Sequence, residues 1–150
     1  MNYHAERAAA FEGLIARLAA EGRFKRLAAT ELAAYVAQTP SVALLYTGDP
    51  TLIPESWDAC VVLPELLSLF PDVAGAVLDP RESAYAARTY GIGKLPALVL
   101  LRNGEYLGVV EGMHDWQPYV VELRRLLAAQ PQPVPIAGVY SAAPAIARPA

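Results

Sequence analysis

The spacing of apolar positions changes along the chain, and each change marks an element. Phe11, Leu14, Ile15 and Leu18 fall at i, i+3, i+4 and i+7, one apolar stripe on an alanine-rich helix from about residue 4 to 20. Gly22 ends it, and Phe24 to Ala28 reads as a short edge strand. Thr30 stands where an N-cap belongs for a helix over Glu31 to Gln38, with Leu32, Tyr35 and Val36 inward and Pro40 closing the unit. Ser41 to Thr47, SVALLYT, is short and continuously apolar, which predicts a strand buried on both faces. Gly48, Asp49, Pro50 and Pro54 make an irregular loop. Ser56 is placed to cap the following helix, whose apolar positions are Val61, Val62, Leu66, Leu67 and Phe70. Pro64 lies inside it and predicts a kink, because its ring clashes with a preceding carbonyl. Val73 to Leu78 is a second buried strand, and Asp79-Pro80 leads into a helix from about Glu82 to Tyr90.

The stretch Tyr90 to Gly112 reads as a helix end, a fixed loop and a hairpin. Gly91 and Gly93 stop the helix. Pro96 precedes the apolar run Ala97 to Leu101, where proline can open a strand but not lie within it. Asn103-Gly104 is a two-residue turn signal, flanked by Arg102 and Glu105 as an expected cross-strand ion pair, and Tyr106 to Val110 return. Asp115 then N-caps a helix over Trp116 to Ala129 with Tyr119, Val120, Leu123, Leu126 and Leu127 inward. From Gln130 the chain is rich in Pro, Ala and Gln without periodicity. The expectation is one domain over 1–129 and a flexible tail over 130–150. From the Ser41 strand onward the order β-α-β-α-β-β-α, with an extra N-terminal helix ahead, gives an α/β three-layer sandwich: a mixed central sheet with helices on both faces.

Composition narrows the chemistry. At 150 residues the chain suffices for one core, and its 55% hydrophobic content is inflated by alanine. No apolar run approaches the ~18 residues of a membrane span. Glu6, Arg7, Glu12 and Arg17 interrupt any signal-peptide core, so a cytoplasmic protein is expected. A single cysteine, Cys60, excludes an intramolecular disulfide and a cysteine-rich zinc site. His4 and His114 are far apart in sequence, so neither metal nor cofactor is expected. A net charge of -3 without a basic aromatic patch argues against nucleic acid.

Tyr-Gly-Ile-x-x-x-Pro, an apolar strand and Asn-Gly-Glu resemble the second half of a thioredoxin. The resemblance implies a cis peptide bond at Leu95–Pro96, facing the site. Thioredoxins carry Cys-x-x-Cys at the start of the helix after the Ser41–Thr47 strand. Matching Pro64 to that helix's proline puts Ser56 and Ala59 at the cysteine positions, and Leu45 where a buried carboxylate would lie. With no resolving thiol, dithiol exchange is excluded. Cys60 reads either as a small buried hydrophobe or, near a helix N-terminus, as a lone reactive thiol, with Glu55 and Asp58 disfavouring a thiolate.

At that end of the sheet the exposed chemistry is acidic and apolar. Asp49, Glu55 and Asp58 cluster on the loop and helix start, beside Leu52, Ile53, Trp57, Leu95, Pro96 and Met113. An apolar groove rimmed by carboxylates suits an extended peptide with positive charge and an apolar segment. GDP-x-x-x-x-PE-x-x-D over Gly48 to Asp58, and the motif from Leu95 through His114-Asp115-Trp116, resemble the hydrogenase expression proteins HyaE, HupG and HoxO. That resemblance implies a non-catalytic accessory protein for a membrane-bound uptake nickel–iron hydrogenase. It also implies binding of the small-subunit precursor, which carries a twin-arginine signal, beside a second accessory protein of the same operon. The residues expected to meet the client are Asp49, Glu55, Trp57, Asp58, Leu95, Pro96, Met113, His114 and Trp116. Two alternatives stand: a monothiol enzyme using Ser56 or Cys60, and an adaptor that binds through the N-terminal helix.

Overall fold

A computed structural model describes residues 2–135. Its elements are α1 (Tyr3–Ala20), β1 (Lys25–Leu27), α2 (Leu32–Gln38), β2 (Ser41–Tyr46), α3 (Glu55–Leu67) and β3 (Ala74–Leu78). Then come α4 (Pro80–Ala86), β4 (Ala97–Arg102), β5 (Glu105–Glu111) and α5 (Trp116–Leu127). The sheet order is β1-β3-β2-β4-β5; the first three pair in parallel, and β4 and β5 join antiparallel. The period-two pleat sorts β2 into two cores. Ala43 and Leu45 pack with α1, α3 and α5, while Val42, Leu44 and Tyr46 pack with α2 and α4. Central strands buried on both faces explain the unbroken apolar run in SVALLYT. The hairpin turn has φ 52° at Asn103 and 79° at Gly104, the paired positive angles that an Asn-Gly turn supplies.

Several local expectations give way to longer-range partners. Thr30 does not cap; it lies in a 3-10 turn, Ala29–Glu31, where the Glu31 carboxylate accepts the Ala28 N–H at 2.8 Å. Ser56 does not cap α3 either. The helix begins at Glu55, and the buried Ser56 Oγ accepts the Gly48 N–H at 2.9 Å, fastening the preceding loop. Arg102 stands opposite Glu105 in register yet forms no ion pair with it among the described residues. It donates instead to the carbonyls of Leu127 (3.0 Å) and Ala129 (2.7 Å), where helix α5 leaves carbonyls unsatisfied. Asp115 occupies the N-cap position of α5 without a side-chain capping bond. Helix α3 is continuous through Pro64. The start of the expected tail is bound chain, since Gln132 donates from its backbone to Tyr106 O and from Nε2 to Leu107 O, each at 2.9 Å. The rest of that tail, 136–150, lies outside the described residues.

Candidate functional site

Register places three chain segments at one end of the sheet. Tyr46 pairs with Ala97, and Ala97 with Glu111. The loop leaving β2, the loop entering β4 and the turn leaving β5 therefore converge where α3 and α5 begin. The segment before β4 is fastened at both ends: Gly93 N–H donates to Glu111 Oε2, and Gly112 N–H to Pro96 O, both at 2.7 Å. Leu95–Pro96 is cis and Pro96 is buried.

The positions matched to thiols, and the one thiol present, are withdrawn from solvent. Ser56 is 0% exposed and Ala59 3%, so neither position matched to a redox cysteine faces solvent. Cys60 is 0% exposed and lies in the second turn of α3, since the helix starts at Glu55; burial pushes its thiol up to about 12. Leu45 sits in the same core.

The expected client residues divide by environment. Asp49, Glu55 and Asp58 are exposed. Asp49 Oδ1 accepts from the Thr51 hydroxyl (2.7 Å) and N–H (2.8 Å), which hold its carboxyl below the usual range. The same hydroxyl meets His4 Nδ1 at 2.5 Å, tying the loop to α1. Trp57 is half-buried under α1, its ring 5.8 Å from that of Phe11, with the Arg7 guanidinium 5.0 Å above it. Met113 packs against the α1/α3/α5 core, with its sulfur 4.0 Å from the Tyr119 hydroxyl, whereas Leu95 packs against the opposite core. His114 is exposed; its Nε2 donates to Glu111 O at 2.8 Å and its ring stands edge-on to Tyr119. Trp116 opens α5, 42% exposed, and Leu52 is 73% exposed on the loop. Among the described residues no cluster of His, Cys, Asp and Glu could hold a metal ion, and no helix is long and apolar enough to cross a membrane.

Sequence reasoning missed the cations at this end. Arg7 covers Trp57, and Lys94 lies against Gly112, where a Cβ would come within 3.4 Å of its Nζ. It also missed an ion network spanning α1, β1 and α4. Arg26 donates to both Glu12 oxygens and to Asp79 Oδ2 (3.2 Å), and Arg81 donates to Asp79 from its backbone (2.9 Å) and guanidinium (3.0 Å). Asp79 also occupies the N-cap position of α4, and the Arg81 guanidinium leads the effects that hold its carboxyl at about 2. Only the Asp-Pro pair, with proline in the first helical turn, signalled any of this.

A mixed five-stranded sheet with a cis proline at its functional end, and no Cys-x-x-Cys, defines a thioredoxin-fold protein without the redox pair. Its backbone is similar to mitochondrial thioredoxin 3 of Saccharomyces cerevisiae (TM-score 0.55, 22% identity, 67% of this chain and 92% of that one). The model of the family "Hydrogenase-1 expression protein HyaE" matches residues 14–119, and the chain belongs to that family. It is 34% identical over 128 residues to the hydrogenase expression/formation protein HoxO of Azotobacter vinelandii, covering 85% of this chain and 86% of that protein. HoxO of Cupriavidus necator is 39% identical over 99 residues, 64% of this chain and 62% of that one. Membership gives the chain a role in hydrogenase maturation.

Proposed function

We propose that the chain is a non-catalytic accessory protein that holds the small-subunit precursor of a membrane-bound uptake nickel–iron hydrogenase in the cytoplasm. On this reading it engages the precursor's twin-arginine signal and works beside a second accessory protein of the same operon. One observation carries the reading. At the sheet end where thioredoxins engage substrates, the positions of the thiols are filled by buried Ser56 and Ala59, while Asp49, Glu55 and Asp58 stand exposed on the loop and helix start that also carry exposed Leu52 and half-buried Trp57, and exposed Trp116 opens α5. Carboxylates would steer the basic front of such a signal, and apolar side chains would hold its hydrophobic part. Co-expression with the precursor, with and without its signal, followed by co-purification, tests it. Signal-dependent capture is expected; capture that ignores the signal overturns it.

A second reading, contact through the N-terminal helix, draws on the exposure of Tyr3 (67%) and the seating of Arg7 on Trp57. Deleting α1 would not test it, since Phe11, Leu14, Ile15 and Leu18 are buried in the core. Tyr3→Ala and Arg7→Ala keep the fold and ask the question directly. If they abolish capture while Asp49→Asn and Glu55→Gln do not, the adaptor reading replaces the groove.

A further inference from the structure

Strand β5 ends the sheet, so alternate residues along it turn their N–H and C=O groups away from β4. The register fixes which ones. Gly112 donates to Pro96 O, so the pairs Ala97–Glu111 and Val99–Val109 are the non-hydrogen-bonded ones. The backbones of Val109 and Glu111 therefore face outward. The chain closes this edge at both ends with its own side chains: Leu107 O accepts from Gln132 Nε2, and Glu111 O from His114 Nε2. Between these hooks, the Val109 N–H and C=O and the Glu111 N–H have no partner across the edge among the described residues.

Side chains frame the gap. A hollow of about 310 Å³ runs along it, lined by Val109, Val110, Glu111, His114, Pro118 and Glu122. It meets a second hollow at His114 and Pro118, on the Met113 and Asp115 side. The lining mixes Val109, Met113 and Pro118 with the carboxylates of Glu111, Asp115 and Glu122; Gly93 N–H engages Glu111 at 2.7 Å and Arg125 engages Glu122 at 3.0 Å. Unpaired edges template added strands, and natural proteins close or charge them. Here the protein closes both ends and leaves the middle open.

We propose that this open edge of β5, from Gly108 to Glu111, binds an extended peptide bearing basic and apolar residues in alternation, adding it as a short sixth strand. Main-chain bonds to Val109 and Glu111 hold the peptide; half-exposed Val109 receives an apolar side chain on one face, and Asp115 and Glu122, on the α5 face, receive a basic one. A second copy of this chain is a poor occupant, because pairing the edge with itself would oppose like charges. At ~3.3 Å per residue the gap accepts roughly three or four residues, so binding is weak and salt-sensitive. The inference does not depend on the hydrogenase client, and its probe is generic.

The test uses the full chain and a short synthetic peptide alternating lysine and valine, with a glutamate–valine peptide as control. Amide exchange followed by NMR is expected to slow at Val109 and Glu111 with the lysine peptide only. Val109→Pro removes the outward donor where an edge strand tolerates proline, and should weaken binding by roughly tenfold. Glu122→Lys should weaken it at low salt and lose that effect at high salt. If Val109→Pro does not fold, Glu122→Lys decides. The proposal is overturned if protection appears elsewhere, such as at Lys94 and Leu95, or if Val109→Pro binds unchanged. It is equally overturned if Glu122→Lys binds as wild type at low salt, or if the same amides become protected without peptide as protein concentration rises.

Discussion

Asp79→Asn separates charge from shape in the ion network. The substitution keeps the N-cap geometry of α4 and the packing, but removes the carboxylate that Arg26 and Arg81 share. The Asp79 side chain is 12% exposed, but its leading partner Arg81 is 82% exposed, so solvent screens part of the interaction. The folded carboxyl titrates at about 2 against an ordinary value of 3.8, and each unit corresponds to ~1.36 kcal/mol. Asp79 ionisation therefore contributes at most about 2 kcal/mol, still a sizeable part of a typical stability of roughly 5–15 kcal/mol. Because the folded pKa is depressed, this stability is fully present above the unfolded value and is lost as pH falls through the folded one. Urea unfolding at pH 7 should place the variant's midpoint lower by up to about 1 M, for a slope near ~2 kcal/mol/M. Repeated at lower pH, the gap between wild type and variant should narrow from about pH 4 and close near pH 2. A gap independent of pH, or under ~0.5 kcal/mol at pH 7, would refute the assignment of the shift to this network.

Cys60→Ala should cost about 1 kcal/mol and leave client capture within roughly threefold, because a buried thiol acts as a small hydrophobe; a folded variant that fails in hydrogenase maturation would revive thiol chemistry. Ser56→Ala leaves the Gly48 N–H without its partner and should lower stability by ~1–3 kcal/mol, read by thermal unfolding. Replacing Asp49, Glu55 and Asp58 together with Asn/Gln should slow client association and flatten its salt dependence. Trp57→Ala should instead speed dissociation, by an amount that persists at high salt. Surface plasmon resonance separates the two, and a triple variant with a wild-type on-rate at low salt would move the binding surface elsewhere.

Elements whose cause is local were legible in the sequence. The stripe Phe11–Leu18, the apolar run of β2 and the Asn103-Gly104 turn each carry their own periodicity or backbone demand, and each stands where it was read. Side chains with a choice of partner were not legible. Thr30 and Ser56 satisfy the local rule for an N-cap, yet Thr30 lies inside a turn fastened by Glu31 to the Ala28 N–H, and Gly48 claims the Ser56 hydroxyl. Arg102 had a cross-strand neighbour in reach and chose the carbonyls at the end of α5, 25 and 27 positions away. The ion network joins positions 12, 26, 79 and 81, and no pattern within any one element signals it. For the candidate site, the resemblance supplied the cis bond at Pro96. No reading of the sequence could seat α1 on Trp57, because helix docking depends on tertiary packing.

That seating also gives the molecule an optical property. Of its two tryptophans, Trp57 is half-buried against Phe11 and Arg7, and Trp116 is exposed at the start of α5. Trp116→Phe therefore leaves a single tryptophan, excited selectively over the tyrosines, whose emission reports whether α1 rests on α3, and Trp57→Phe leaves one that reports on the turn after β5. Two such variants distinguish, without any label, a ligand that displaces the N-terminal helix from one that settles beside it.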